Sequence, residues 1–203
     1  MQRTYLSLNP KAVTESYLEQ YLLPRLPQWR REQALSFRFH AGRVLSAQAF
    51  LLLKDGLASD FGITDELEFD YLHSGKPVLR HHPDVHFSLS HCSEGVLCVV
   101  DDGGEVGCDI ETCRRHFSDA LLKRCFNASE VADIRSAADT SAAFARLWTQ
   151  KEAVAKFTGD GLALETLPDL LLSFREQFPD ARIETCHLAD NHLCYSVVSV
   201  SSF

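Results

Sequence analysis

Apolar positions change their period several times along this chain, and each change predicts a new element. Residues 5–8 read as a short first strand, Pro10 as a turn and residues 15–23 as a helix. From 28 to 57, Leu35, Phe39, Val44, Leu45, Phe50, Leu51 and Leu53 predict helix, with a break near His40-Ala41-Gly42 and a stop at Gly56. Leu67, Phe69 and Tyr71 then alternate with Glu66, Glu68 and Asp70, the period of a half-exposed strand, which stops at His73-Ser74-Gly75-Lys76-Pro77. Residues 85–90 alternate again, with His86, Ser88 and Ser90 on the polar face. Residues 96–100 predict a buried strand, Asp101-Asp102-Gly103-Gly104 a turn, and residues 105–111 a returning strand. These strands are expected to form one small sheet.

The second half repeats the plan. Helical patterns cover 118–126, 130–138 and 141–157, with Asn127 and Ser129 as capping candidates. Strand-like stretches follow at 170–174, 182–187 and 193–200. Helices followed by a three-stranded antiparallel sheet, twice over, predict an α+β protein of two similar halves, residues 1–103 and 104–203. No repeat is visible residue by residue, so the duplication rests on element order alone.

One helical row changes character within its length. Phe144 and Trp148 continue at i, i+4 spacing into Glu152 and Lys156, and Gly159 and Gly161 supply the helix stop. A core-facing row that ends in opposite charges faces a cleft or a partner; the plainer alternative is a surface salt bridge worth about 0.3–0.5 kcal/mol.

Composition narrows the classes. With 45% hydrophobic residues in 203 the chain can build a substantial core. No apolar run approaches the roughly 20 residues of a membrane span, and the N-terminus lacks the pattern of a secretory signal, so a cytoplasmic protein is expected. Seven scattered cysteines without a C-x-x-C pair read as reduced core residues. A net charge of -8 argues against a general nucleic-acid binder, although arginines cluster locally at Arg25, Arg30, Arg31, Arg38 and Arg43.

Asp109-Ile110-Glu111 ends a strand, so the period of 2 places both carboxylates on one face. With Glu152 beside them they would make an oxygen-only site suited to magnesium; by itself Asp-x-Glu is more often a solvated strand end. Lys76 on its glycine turn, Ser90 and His91 at a strand end, and the Arg30-Arg31 pair each suit a phosphate, yet each is weak alone.

Taken in order, Gly75-Lys76-Pro77, Phe87-Ser88-Leu89-Ser90-His91, Val106-Gly107-Cys108-Asp109-Ile110-Glu111 and Trp148 to Lys156 with Gly159-Asp160-Gly161-Leu162 resemble the 4′-phosphopantetheinyl transferases of the large, Sfp-like type. Cys108 departs from the isoleucine usual there. The resemblance implies a pseudo-dimeric fold with coenzyme A in the cleft between halves. It implies magnesium on Asp109, Glu111 and Glu152, with Lys76, Ser90 and His91 on the adenylate and phosphates. Arg31, with Arg30 or Arg38, would lie near the 3′-phosphate. Glu152 or a metal-bound water would be the base, and Lys156 would meet the departing 3′,5′-ADP.

The acceptor implied is a serine of an acidic acyl or peptidyl carrier protein. Its expected docking surface is Arg114, Arg115, Lys123 and Arg124 around Phe117, Leu121, Leu122 and Phe126. A duplicated chain builds its cleft within one molecule, so a monomer is expected. The competing readings are a magnesium-dependent coenzyme A phosphohydrolase and a non-catalytic coenzyme A binding module.

Overall fold

The computed structural model describes residues 1–114 and 117–200. Strand β1 (Gln2–Leu8) leads into a short helical turn α1 (Glu15–Tyr17) and then helices α2 (Gln28–Ser36) and α3 (His40–Asp60). Strands β2 (Phe69–Tyr71), β3 (Pro77–Leu79), β4 (His86–Cys92), β5 (Gly95–Asp101) and β6 (Val106–Thr112) follow. Helices α4 (Asp119–Cys125), α5 (Ala128–Ser136), α6 (Thr140–Thr158) and α7 (Leu170–Gln177) precede the last strands, β7 (Ala181–Leu188) and β8 (Leu193–Val200). Among the described residues no helix is long and apolar enough to cross a membrane.

Two three-stranded antiparallel sheets result, in the orders β1-β5-β4 and β6-β8-β7, with β2-β3 as a separate ribbon. This is the expected α+β architecture, with corrections to several of its elements. The strands between 67 and 111 do not share one sheet: β6 leaves β5 and pairs with β8, Asp109 opposite Ser196. Residues 170–174 are helix, because Leu170, Leu171 and Phe174 with Phe178 also satisfy helical spacing, and Phe174 and Phe178 close on Phe157 with ring centroids 5.5 Å apart in each case. The 15–23 helix is irregular: Leu18–Leu22 winds more widely and Leu23–Arg25 tightens into a 3-10 turn where Pro24 has no N–H to offer.

Each half has its own core. Leu18, Phe50, Leu53, Leu57, Phe87 and Val100 pack between α3 and the first sheet. Leu122, Phe126, Phe144, Leu147, Val154, Phe157 and Val198 pack between the C-terminal helices and the second. The predicted caps hold in part: Asn127, not Ser129, caps α5 and forms a capping box with Glu130, Gly159 closes α6 in the left-handed region at φ 78°, and α3 runs on through Gly56, its expected stop, to Asp60.

The sheets meet at β4 and β6. The outward amides of β6 find hydroxyls on β4: Cys108 N donates to Ser88 Oγ at 3.0 Å and Ile110 N to Ser90 Oγ at 3.4 Å. Buried edge amides must be paired, so the two serines supply what a continuous ladder otherwise would.

Candidate functional site at the junction of the halves

Helix α6 lies against β6, and a glycine permits it. A Cβ on Gly107 would sit 2.0 Å from Ala153 O and 2.5 Å from Phe157 N, so only hydrogen fits beneath the helix. The close approach brings the charged end of the Phe144-Trp148-Glu152-Lys156 row over β6. Lys156 Nζ donates to Asp109 Oδ1 at 2.8 Å. The same oxygen accepts from Ser90 Oγ at 2.7 Å. Asp109 is only 6% exposed, and its Oδ2 is buried with no hydrogen-bond partner.

That orphaned oxygen fits a hard cation, which removes the cost of a desolvated lone pair. Glu111 follows on the same face of β6, and Glu152 faces the site from α6, one turn before Lys156. Both are half-buried. Among the described residues no three His, Cys, Asp or Glu side chains converge as a ready-made metal cage. Magnesium asks for less, since one or two carboxylates suffice when water and phosphate oxygens complete its shell.

Burial works to lower the Lys156 pKa, but Asp109, the Cys108 sulfur and Glu152 outweigh it, and the net shift is upward. Lys156 is therefore a firm cation. His91, exposed at the end of β4, has its pKa lowered by the surrounding protein and then by Lys156, with Asp109 opposing. It is therefore neutral near pH 7.

A cleft of about 310 Å³ opens beside this cluster, lined by Ser74, Lys76, Phe87, Ala155, Lys156 and Gly161 among others. Pro77, Phe87 and Leu89 also line the adjoining groove toward Trp29, Arg30, Phe50, Phe69 and Tyr71. Arg30 is the arginine that faces this groove: its guanidinium lies 5.5 Å over the Phe50 ring, Nη2 donates to Ser46 O at 2.9 Å, and Nε is buried without a partner.

Asp109, Lys156, Ser90 and His91 thus meet at the junction, and Lys76 borders the same cleft. Arg31 is turned elsewhere, with Nε on Leu23 O at 3.0 Å and Nη2 on Leu26 O at 3.4 Å. Ser90, expected to face a phosphate from its strand end, is buried against Asp109 and holds it. Lys151, the neighbour of Glu152 on α6, is 0% exposed. Its Nζ meets Leu167 O at 2.7 Å, Pro168 O at 2.9 Å and Glu130 at 2.9 Å.

Of the expected docking residues, Leu122 and Phe126 are core, at 1% and 3% exposed. Leu122 and, just past the end of α4, Phe126 sit at i, i+4 spacing and point inward, so neither offers surface for docking. Phe117 and Leu121 are half-buried, Arg114, Lys123 and Arg124 are exposed, and Arg115 lies outside the described residues.

Residues 105–200 match the family model of the 4′-phosphopantetheinyl transferase superfamily. The chain is 31% identical over 179 residues to the 4′-phosphopantetheinyl transferase HetI of Nostoc sp., an alignment spanning 82% of this chain and 71% of that protein. The chain belongs to the 4′-phosphopantetheinyl transferase superfamily. Two further members of the superfamily match more locally. The transferase psf-1 of Bacillus pumilus is 40% identical over 101 residues, 49% of this chain and 42% of its own length. The L-aminoadipate-semialdehyde dehydrogenase-phosphopantetheinyl transferase of Eremothecium gossypii is 37% identical over 141 residues, 65% and 51% respectively. The chain therefore spans about half the length of these last two relatives.

Sequence reasoning missed Ser88 and Glu105. Ser88 was visible only as a polar residue on an alternating strand. Glu105, which pairs with Lys76 across 29 positions, carried no local signal.

Proposed function

We propose that this protein transfers 4′-phosphopantetheine from coenzyme A to a serine of an apo acyl or peptidyl carrier protein, releasing 3′,5′-ADP, in the cytoplasm and as a monomer. The observation that carries the reading is the buried Asp109 carboxylate, fixed by Ser90 and Lys156 through one oxygen and unpartnered at the other, at the cleft between halves.

Asp109, with Glu111 or Glu152 beside it, would hold magnesium, which when bound neutralises charge on the pyrophosphate. Glu152 takes the proton of the carrier serine as its oxygen forms a bond to the β-phosphorus. The bond from that phosphorus to the oxygen of 3′,5′-ADP breaks, and the Lys156 ammonium donates a hydrogen bond to the charge left there. Neutral His91 and Arg30 line the path of the adenylate and 3′-phosphate, with Lys76 and the Ser90 strand as the cleft wall. Arg114, Lys123 and Arg124, with the exposed edges of Phe117 and Leu121, suit an acidic carrier.

Coenzyme A bearing a fluorophore on its pantetheine end tests this with an apo carrier. Label fixed covalently to the carrier supports transfer. Free label with 3′,5′-ADP would make the protein a phosphohydrolase, and binding without either product a coenzyme A binding module.

A further inference from the structure

We propose that Lys76 is a positioning residue that caps the last turn of α6 from the opposite half, with Glu105 as the counter-charge that holds it there. An ammonium has three hydrogens to donate. Lys76 Nζ places them on the Glu105 carboxylate, on Val106 O at 3.3 Å and on Phe157 O at 3.2 Å. All three acceptors belong to the C-terminal half, and the side chain is only 12% exposed.

Phe157 O is one of the last four carbonyls of a helix that ends at Thr158, so no amide within the helix satisfies it. A cation at that end also complements the helix dipole. Lys76 meets both needs from across the interface. The turn that carries it packs on the helix stop: a Cβ on Gly159 would lie 3.2 Å from Ser74 Oγ and 3.7 Å from Lys76 Cδ. Glu105 is held in turn by His86 Nδ1 at 3.2 Å. Because Lys156 directly precedes Phe157, the contact that fixes the Phe157 carbonyl also fixes the ammonium bonded to Asp109.

The alternative is that Lys76 binds a phosphate of coenzyme A, and the two differ over Glu105. As a cap, Lys76 needs Glu105; as a phosphate ligand, it is hindered by it. The kinetic arm of the test rests on the transfer reading, whereas the hydrogen-exchange arm does not.

Lys76→Met, Glu105→Gln and the double variant are compared with the wild type by amide hydrogen exchange, calorimetric titration with coenzyme A and transfer kinetics. The cap predicts exchange at residues 157–161 faster by about tenfold in each single variant, and a double variant no worse than Lys76→Met alone. It predicts kcat lowered about tenfold in Glu105→Gln with a smaller change in KM for coenzyme A. The proposal is overturned if Glu105→Gln leaves exchange unchanged, or if it tightens coenzyme A binding while Lys76→Met weakens it. Should Lys76→Met fail to fold, Glu105→Gln alone decides. Should the wild type transfer nothing, the exchange data still decide, and only the functional reading falls.

Discussion

Replacing Gly107 with alanine tests whether the approach of α6 to β6 builds the site. The added methyl would lie 2.0 Å from Ala153 O where ordinary contact begins at 3.4 Å, and 2.5 and 2.9 Å from Phe157 N and Cα. All three obstacles are helix backbone, so no side chain can rotate away, and α6 must retreat by about 1.4 Å. Overpacking of this kind costs about 1–3 kcal/mol. For a chain of this length that corresponds to a Tm lower by roughly 3–10 °C. The kinetic effect is larger, because Lys156 and Glu152 ride on the displaced segment while Asp109 stays with β6, and a 1 Å misplacement can cost about 100-fold. Thermal melts by circular dichroism and transfer rates would be measured beside Gly62→Ala. That alanine meets nothing within 4 Å but is strained at φ +68°, so it should lower Tm without lowering transfer. A Gly107→Ala protein with unchanged Tm and full transfer would mean that the close approach of α6 to β6 does not build the site.

Lys151→Met should lower the urea unfolding free energy by about 3 kcal/mol, because it strands the buried Glu130 carboxylate. The Lys151→Met/Glu130→Gln pair should recover part of that loss, and an unchanged single variant would show the ion pair to be idle. Asp109→Asn should cut transfer by about 100-fold or more and abolish any stabilisation by magnesium in a thermal-shift assay; retained stabilisation would place the metal elsewhere. The depressed His91 pKa means the unfolded chain binds its proton first as pH falls below 6.5, so folding stability is lost on acidification toward the folded-state pKa. Urea midpoints at pH 7 and 5.5 should therefore differ less in His91→Gln than in the wild type; an equal difference contradicts the shift.

Local physics made much of this molecule legible. The α6 row from Phe144 to Lys156 was readable because helical spacing makes a stripe, and a stripe that turns from aromatic to charged has to leave the core. The Asp109-Glu111 pair was readable because strand period puts both on one face. Residues 170–174 misled, since five apolar-rich residues fit either period and only the aromatic contacts with Phe157 decide. Leu122 and Phe126 were misassigned to a surface because a basic helix hides which of its apolar residues point inward. The contacts that the Lys151 and Lys76 ammonium groups make were beyond sequence reasoning for one reason: their acceptors lie 16 or more positions away and include main-chain carbonyls that no residue identity reveals.

The most direct test of transfer is the intact mass of an apo carrier protein incubated with this protein, coenzyme A and magnesium, with and without a chelator. The carrier should gain one phosphopantetheinyl group, matched by 3′,5′-ADP and lost on chelation. Carriers that gain no mass while coenzyme A is demonstrably bound, or while 3′,5′-ADP accumulates, would contradict transfer.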